Sequence, residues 1–426
     1  MATPHPLRIA NFRAYWFARL TMTLAQYAMM LIIGWQTYNI ARADGMSVEA
    51  AAGQLALIGL LQFLPLFVLS PFAGLAADRY DRKTLARTTI ATQLACASVL
   101  GWTTWAGTIG LPVLFAVAVV LGIVRAFNGP ALSALAPNLV PKDVLPNAIA
   151  LSSIAWQAGM IAGPAIGGYA YAAAPALPYV IAGVLFIVAI VGVSLIGEVP
   201  HERARSDDKP IAQIIDGWRY VLRNKMVLGA ITLDLFAVFL AGATALFPVY
   251  ARDILQVGET GLAQLAMAPA VGAAVTAAYF SFRPLKTDVG PKMLWAVAVF
   301  GSATIAFGLS TSMPLSLAML FVIGAADMFS VYIRQSLIQL HTPDEKRGRV
   351  SSASLLTISA SNEGGDAFSG GLAYAIGPVG AVVAGGIGAI VTVALWSRLF
   401  PVLRTTRTFD PPETFDTPTI KPEPSP

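Results

Sequence analysis

The sequence predicts an all-α integral membrane protein with 12 transmembrane helices in two pseudo-symmetric six-helix bundles. Of its 426 residues, 56% are hydrophobic and only 12% are charged, which is about half the charged fraction of a soluble globular chain. The apolar residues form runs of about 20, and one helix of that length crosses a hydrocarbon layer of about 30 Å. Because these runs are continuously apolar, they are not the short alternating strands of a membrane barrel.

Twelve such runs follow one another along the chain. The first is longer than the hydrophobic part of a signal peptide, so we expect it to remain as a transmembrane helix. The predicted spans are 15–39, 52–73, 88–106, 112–134, 148–174, 176–197, 227–250, 261–282, 293–311, 315–336, 350–374 and 378–398.

The longest connection divides the chain into six spans and six. We predict an N-terminal bundle at 1–197, a cytoplasmic linker at 198–226, a C-terminal bundle at 227–403 and a disordered, proline-rich tail at 404–426. The second half of the linker has the pattern of an amphipathic helix. This helix could lie on the inner membrane surface or dock on the protein's own cytoplasmic side. Its apolar stripe consists of Ile211, Ile214, Ile215, Trp218, Val221 and Leu222.

The basic residues predict the orientation in the membrane. With basic residues at span ends counted in the adjoining connections, alternate connections and termini carry 24 of the 28 lysines and arginines on one side and only 2 on the other. Because cytoplasmic loops are enriched in these residues, both termini are predicted to be cytoplasmic. The excess of lysine and arginine therefore reflects membrane topology and does not indicate nucleic-acid binding.

The two halves of the chain resemble each other after a shift of 202 residues. Two bundles related in this way place a binding site between them, which can open to either side in turn, so the repeat favours transport. The matching pairs are Pro141 with Pro343, Asn147 with Arg349, Gly163 with Gly365 and Gly168 with Gly370.

The sequence offers little for catalysis or for a metal site. Cys96 is the single cysteine, and none of the three histidines, His5, His201 and His341, falls within a predicted span. Histidine and thiolate metal sites therefore lack ligands, and serine-hydrolase, Walker and dinucleotide-binding patterns are absent. We expect no enzyme activity, no cofactor and no metal.

A motif with a charged helix end lies between spans two and three, in the segment GLAADRYDRK. It resembles the signature loop of the major facilitator superfamily, although Ala76 and Asp81 depart from that pattern. The resemblance implies a gating role on the cytoplasmic side, with a carboxylate contact that forms in one state and breaks in another. The matching residues are Gly74, Asp78, Arg79, Arg82 and Lys83.

A glycine motif occupies the fifth span and is similar to the antiporter motif of the same superfamily. Glycines let another helix approach closely and proline bends the helix, so plain helix packing is the alternative explanation. The resemblance implies export in exchange for protons. The matching residues are Gly159, Gly163, Pro164, Gly167 and Gly168.

Further segments indicate a subgroup. Arg125 and Gly129 match the core of the superfamily's proton-linked motif in span four. The segments NFRAYWFARL, GWRYVLRNKMVLGAI and TPDEKRGRVSS resemble a subgroup of bacterial exporters that includes the enterobactin exporter. This resemblance covers almost the whole chain and implies a location in the bacterial inner membrane.

Charged residues within the spans identify a candidate proton-coupling site, because an isolated charge in a membrane needs a partner, water or a substrate. Glu363 and Asp366 are three residues apart on one helical face, so we predict that they share a proton. Asp327 and Asp234 are accessory carboxylates, and Arg125 tunes the carboxylates from the other half. Two alternatives stay open: a structural ion pair between Arg125 and Asp327, and a hydrogen-bonded polar helix contact at Glu363 and Asp366. Arg19 also lies in a span, near its cytoplasmic end.

Aromatic residues in several spans could form a cavity for an amphiphilic molecule, or they could serve as packing groups and interface belts. The candidates are Tyr27, Trp35, Tyr38, Trp156, Phe236, Phe239 and Tyr332.

Together these observations predict a proton-coupled exporter of a drug-like or siderophore-like organic molecule. We expect a monomer in the lipid bilayer that is driven by the proton gradient and binds a small-molecule substrate. Two alternatives stay open: an importing symporter on the same fold, and a membrane protein that recruits partners through its linker and tail without transporting anything.

Overall fold

The computed structural model describes residues 5–135, 138–141, 143–197 and 210–410. Within helices it describes the backbone only at residues 71, 74–79, 130–131, 133–134, 146, 210–215, 344–345, 348, 352, 355–356 and 359. No β-strand occurs in these ranges.

Each predicted span corresponds to helical structure. The first half contains α1 (Ala10–Ala43), α2 (Val48–Arg79), α3 (Arg82–Trp105), α4 (Leu111–Leu135), α5 (Leu145–Ala173) and α6 (Leu177–Leu195). The second half contains α7 (Pro210–Arg223), α8 (Lys225–Leu240), α9 (Phe247–Val249), α10 (Gly258–Phe282), α11 (Val289–Gly308), α12 (Met313–Leu340), α13 (Asp344–Ile376), α14 (Pro378–Leu399) and α15 (Pro401–Thr405).

Ten helical segments in the described part of the chain are long and apolar enough to cross a membrane. The two predicted spans outside this set are α3 and α13, which carry more polar residues. In the structure α3 packs against α4 and α6, and α13 packs against α2 and α8. Their polar side chains can therefore face protein rather than lipid, which removes most of the cost of placing them at membrane depth.

The helices run between two faces of the molecule, which can be told apart by the helix ends that meet at each. The start of α1 meets the end of α6 where Asn11 accepts a hydrogen bond from the Gly197 amide. The first turn of α8 packs on α15, since a Cβ on Gly229 would lie 3.2 Å from Leu403. We call this end, which carries α7, α15 and the start of α1, the terminal face. The other end, which carries the connection between α1 and α2, is the opposite face.

The seventh span is broken, which the sequence analysis does not predict. Helix α8 ends at Leu240, and the chain continues through a 3-10 turn, α9 and a π-helical turn to Ile254. Gly242 lies in this break against α13, where an added Cβ would be 2.9 Å from the Gly365 carbonyl oxygen. Interrupted helices occur at membrane depth where protein or a cavity surrounds the freed backbone groups.

Helix α7 docks on the protein, as one of the two interpretations of the linker expects. Val221 is fully buried and packs with Val227, Ile231 and Val350. Leu222, which the pattern places on the same apolar stripe, is instead 62% exposed. The stripe residues Ile211, Ile214 and Ile215 lie outside the described side chains.

The internal repeat is visible in how the bundles meet. Gly168 on α5 lies against α10, where an added Cβ would be 2.5 Å from the Ala263 Cβ. Its repeat partner Gly370 on α13 lies against α2, where an added Cβ would be 2.7 Å from the Ala56 amide nitrogen. The two bundles therefore contact each other along two equivalent helix pairs.

Candidate functional site

The central feature is an ion pair that joins the two bundles. Arg125 on α4 donates from Nη2 to Oε1 of Glu363 on α13. The Glu363 side chain is only 9% exposed, so water screens the pair weakly. A proton arriving at Glu363 would remove the charge that holds Arg125 in place. The charge of this one side chain therefore affects a bond between the two bundles.

Glycines bring the two side chains within reach. At Gly122 a Cβ would lie 2.4 Å from the Gln62 carbonyl oxygen, so α4 and α2 touch along their backbones. At Gly59 a Cβ would lie 3.2 Å from the Ala367 amide nitrogen, so α2 also approaches α13 closely. Close approach at these two points lets Arg125 reach past α2 to Glu363. Gly129, the other residue of the proton-linked motif, has nothing within 4 Å of an added Cβ.

Polar side chains of the first bundle surround Arg125. Its Nη1 donates to Gln62 Oε1 at 3.4 Å. A small cavity next to it is lined by Gln26, Gln62 and Gln93 together with Met29 and Met30. Gln93 is almost fully buried, and its Nε2 has no hydrogen-bond partner among the described residues. The first bundle thus offers several uncharged polar groups that can bind Arg125 when Glu363 does not.

Aromatic residues flank the ion pair. The charges of Arg125 and Glu363 act on the hydroxyl group of Tyr27, whose Cβ packs against Gly163. On the other side, Phe239 on α8 and Phe63 on α2 lie 3.1 Å and 3.9 Å from the Cβ position of Gly364. An organic molecule at this place would meet aromatic rings as well as one cation and its carboxylate partners.

Asp366 lies beside the break in the seventh span. Its Oδ1 accepts a hydrogen bond of 2.8 Å from the Thr244 hydroxyl, and Thr244 begins the turn after the break. Glu363 and Arg125 are the charged groups that act on Asp366. The two carboxylates therefore belong to one cluster, but each has its own hydrogen-bond partner. The structure gives no hydrogen bond between Glu363 and Asp366 themselves, so the sharing of one proton between them stays a prediction.

A second cluster lies within the C-terminal bundle. Arg334 on α12 forms an ion pair with Asp234 on α8, and both side chains are less than 10% exposed. Asp327 lies two turns before Arg334 on α12. It is close enough to Asp234 and Arg334 for their charges to influence its carboxyl group. The alternative ion pair between Arg125 and Asp327 is therefore not formed, because Arg125 pairs with Glu363 and Asp327 belongs to the second cluster.

Arg334 was not predicted to be an intramembrane charge. It lies two residues before the predicted end of its span and was therefore counted with the following connection. Helix α12 continues to Leu340, and Arg334 is 3% exposed. An intramembrane carboxylate such as Asp234 needs a cation or a proton, and this requirement is the signal that could have identified Arg334.

The predicted aromatic cavity is only partly assembled. Tyr27 and Phe239 lie near the central ion pair, as described above. Trp35 and Tyr38 are buried in an apolar cluster toward the opposite face. Phe236 packs on Trp396 with ring centroids 5.1 Å apart, and Tyr332 stacks on Phe280 at 4.3 Å. Trp156 on α5 is 41% exposed.

The predicted antiporter motif is a close-packed helix contact. Cβ atoms on Gly159, Gly163 and Gly167 would lie 2.6 Å, 2.7 Å and 2.7 Å from atoms of Thr23, Tyr27 and Ala28 on α1. Pro164 lies inside α5, which continues past it. Gly168 contacts α10 instead, so the motif fixes α1 against α5 and also touches the second bundle.

Part of the predicted gating loop can be placed. Asp81 caps α3 by accepting a 2.8 Å hydrogen bond from the Thr84 amide, and this cap explains why an aspartate serves where the signature has glycine. Lys83 donates to the carbonyl oxygens of Ile196 and Gly197 at the end of α6. This contact lies within one bundle. Arg82 is partly exposed, Gly74, Asp78 and Arg79 have no described side chains, and their gating role stays a prediction.

Polar bonds join the bundles at the opposite face. The Tyr38 hydroxyl donates to Asp253 Oδ2 at 2.5 Å, and Arg42 pairs with Oδ1 of the same carboxylate at 3.2 Å. The neighbouring Arg252 donates to the Asn39 side chain at 2.5 Å. We call these five residues the latch. The sequence analysis assigns none of them this role, because each falls at a span end where charges are common.

Comparison with known proteins gives the family. The family profile described as Major Facilitator Superfamily matches residues 14–362. The chain belongs to this superfamily. Its members are transporters rather than enzymes, and the twelve-helix, two-bundle fold predicted from the sequence is the fold of the family.

Two curated relatives of this superfamily protein are exporters. The chain is 28% identical over 379 residues to the multidrug efflux pump Tap of Mycobacterium tuberculosis, covering 83% of this chain and 85% of the relative. It is 26% identical over 426 residues to the enterobactin exporter EntS of Escherichia coli, covering 96% and 95%.

Solved structures share the fold at low identity. A POT family transporter in complex with 5-aminolevulinic acid matches with a TM-score of 0.73 and 13% identity, covering 92% of this chain and 96% of that chain. A bacterial homologue of the lysosomal transporter Spinster, in an inward-facing and occupied conformation, matches with a TM-score of 0.68 and 17% identity, covering 95% and 99%.

Proposed function

We propose that this protein is a proton-coupled exporter of a medium-sized organic molecule in a bacterial inner membrane, with both termini cytoplasmic. The terminal face is then cytoplasmic and the opposite face periplasmic, in agreement with the distribution of basic residues. The direction of transport is supported by the two curated relatives, which are named as a drug efflux pump and a siderophore exporter. The driving force is the proton gradient, and no cofactor takes part.

The observation that carries this proposal is the ion pair between Arg125 and Glu363. It connects the bundles at the site where a substrate would lie between them. When Glu363 takes up a proton, its attraction to Arg125 is lost and the bundles lose one bond between them. Arg125 can then turn to Gln62 and the polar cavity of its own bundle. Protonation thereby favours the change in bundle arrangement that alternating access requires.

Each of the two clusters contains one cation and two carboxyl groups, so one carboxyl group in each can carry a proton. The central cluster holds one cation, Arg125, and two carboxylates, Glu363 and Asp366. The second cluster holds Arg334 with Asp234 and Asp327. Because net charge is costly at membrane depth, each cluster is most stable when one of its carboxyl groups is protonated. We assign coupling to Glu363 because, of these four carboxyl groups, it is the one whose ion-pair partner belongs to the other bundle.

The substrate class follows from the groups around the pair. Tyr27, Phe63 and Phe239 supply aromatic surface, whereas Arg125 and its carboxylates supply charge. A molecule with aromatic or apolar bulk and at least one polar or charged group fits this combination. Both drugs and siderophores have this character.

A paired experiment tests the function. Cells with and without the gene are compared for growth in a panel of drugs and for retention of siderophores, and a compound that responds is then used in proteoliposomes. We expect an imposed pH gradient to move this compound toward the opposite-face side in exchange for protons. Accumulation in the direction of proton flow would show an importing symporter and contradict the proposal.

Reporter fusions test the orientation separately. A reporter joined at Glu198 or Pro426 is expected to be active only if it is of a cytoplasmic type. A periplasmic signal from either position would reverse the assignment of the two faces.

A further inference from the structure

A wide groove opens on the terminal face, separate from the central ion pair. It has a volume of about 870 Å³. Its walls come from α7, the first turn of α8, the residue after α12, the first turn of α13, and α15 with the segment that follows it. All of these elements belong to the second half of the chain. The proposed transport mechanism uses none of the residues that line the groove.

The groove is strongly basic. Five cationic residues line it against two carboxylates, Asp216 and Asp410, and Asp216 is already paired with Arg349 at 2.6 Å. That hydrogen bond from Arg349 lowers the pKa of Asp216, so the carboxylate stays ionised and committed to its partner. The cations are Arg219, Arg223, Lys225, Lys346 and Arg407.

Three of these cations are available for a ligand. Arg219, Arg223 and Lys225 are exposed and form no ion pair with the residues described in the structure. Arg407 pairs with Asp288, and Lys346 lies 5.5 Å above the ring of Tyr220. Burial lowers the pKa of His341, so this side chain adds no charge near neutral pH. The free positive charge is thus concentrated within seven residues, at the end of α7 and the start of α8.

The groove also has an apolar part at the level where the membrane begins. Met226, 5% exposed, and Val402 line it beneath the cations. Met226 belongs to the first turn of a membrane span, so the cations lie at the depth of lipid headgroups. Leu222, next to Arg223, is exposed beside it. A ligand here meets positive charge and apolar side chains together, which suits a phospholipid better than a free anion.

We propose that this groove binds the phosphate group of an anionic phospholipid of the adjoining leaflet. The guanidinium groups of Arg219 and Arg223 can each donate two hydrogen bonds to phosphate oxygens, and Lys225 adds a point charge. The acyl chains then leave the groove past Val402 and the exposed side chain of Leu222. A bound lipid bridges α7 and α8, and so holds the connection between the bundles against the C-terminal bundle.

The test uses the purified, delipidated full-length protein in detergent. Binding of phosphatidylglycerol is measured by native mass spectrometry and by the shift in melting temperature, with phosphatidylcholine and inorganic phosphate as comparison ligands. The groove variant is Arg223→Gln/Lys225→Gln. The matched control is Arg283→Gln/Lys286→Gln, which removes the same charge from two exposed residues of the same face outside the groove.

We expect saturable binding of phosphatidylglycerol to the wild-type and control proteins, and binding at least about tenfold weaker in the groove variant. Without lipid, all three proteins should melt at the same temperature. Equal binding to the groove variant and the control would overturn the proposal. A response to inorganic phosphate without one to phosphatidylglycerol would assign the groove to a soluble phosphate compound and overturn the lipid assignment.

Discussion

Arg125 on α4 is paired with Glu363 on α13, although the internal repeat places Arg125 at the position of Asp327. The repeat describes how each bundle is built but not how the two bundles face each other. Close contact of α2 with α4 at Gly122 and with α13 at Gly59 decides the pairing. A cation of one bundle thus holds a carboxylate of the other, which is the relationship on which the proposed mechanism depends.

Glu363→Gln is expected to uncouple transport. The amide keeps the shape of the side chain but has neither the negative charge that attracts Arg125 nor a titratable proton. In proteoliposomes, accumulation driven by a pH gradient should be lost while exchange of labelled for unlabelled substrate continues. Asp44→Asn, which neutralises an exposed carboxylate of the opposite face, is the control and should transport normally. Gradient-driven accumulation by Glu363→Gln would place the coupling site elsewhere.

Much of the fold could be predicted from the sequence because the membrane imposes a length and an apolar composition on each span. Predicted limits such as 112–134 and 378–398 lie within one residue of α4 and α14. The break after Leu240 could not be predicted in this way. Ala241, Gly242 and Ala243 are as apolar as an intact helix, and contact of Gly242 with α13 determines their conformation.

The site was predicted less completely than the fold. Intramembrane carboxylates stand out because their burial is costly, so Glu363, Asp366, Asp234 and Asp327 could be found by inspection. Their partners could not, since pairing depends on which helices meet. Aromatic residues give a weaker signal still. Trp35 and Phe239 both lie within predicted spans, but Trp35 is packed in an apolar cluster and Phe239 lies by the central ion pair.

The buried pair of Asp234 and Arg334 is expected to stabilise the C-terminal bundle. Asp234→Asn/Asp327→Asn leaves Arg334 without a carboxylate in a site that is almost fully buried, and should cost about 3 to 5 kcal/mol. Asp288→Asn removes an exposed ion pair with Arg407 and should cost about 1 kcal/mol or less. Thermal unfolding in detergent compares the two. Equal losses would show that the buried pair contributes no more than a surface pair.

Gly163→Ala is expected to disturb the contact between α1 and α5. The added methyl group would lie 2.7 Å from the Tyr27 Cβ and 2.9 Å from the Leu24 carbonyl oxygen. The overlap should lower stability by about 1 to 3 kcal/mol and reduce transport. Gly129→Ala, with open space around its added methyl, should be neutral or slightly stabilising. Similar melting temperatures for both variants would contradict the packing role of Gly163.

Asp253→Asn is expected to weaken the latch, because Tyr38 and Arg42 both lose their charged partner. The test places a single cysteine at Ala243, which is 9% exposed, in a Cys96→Ala background. A membrane-impermeant maleimide added from the opposite-face side should label this cysteine several times faster in Asp253→Asn than in Asp44→Asn. Equal labelling rates would mean that the latch does not control access from that side.

The most direct test of the central claim measures the distance between the bundles as a function of pH. Spin labels at Ser47 and Thr260, both exposed at the opposite face and on different bundles, report this distance by electron spin resonance. In the wild type, acidification should shift the distribution of distances, since a protonated Glu363 no longer attracts Arg125. Glu363→Gln should show the low-pH distribution at every pH. A variant that responds to pH as the wild type does would contradict the claim that this ion pair couples protons to bundle movement.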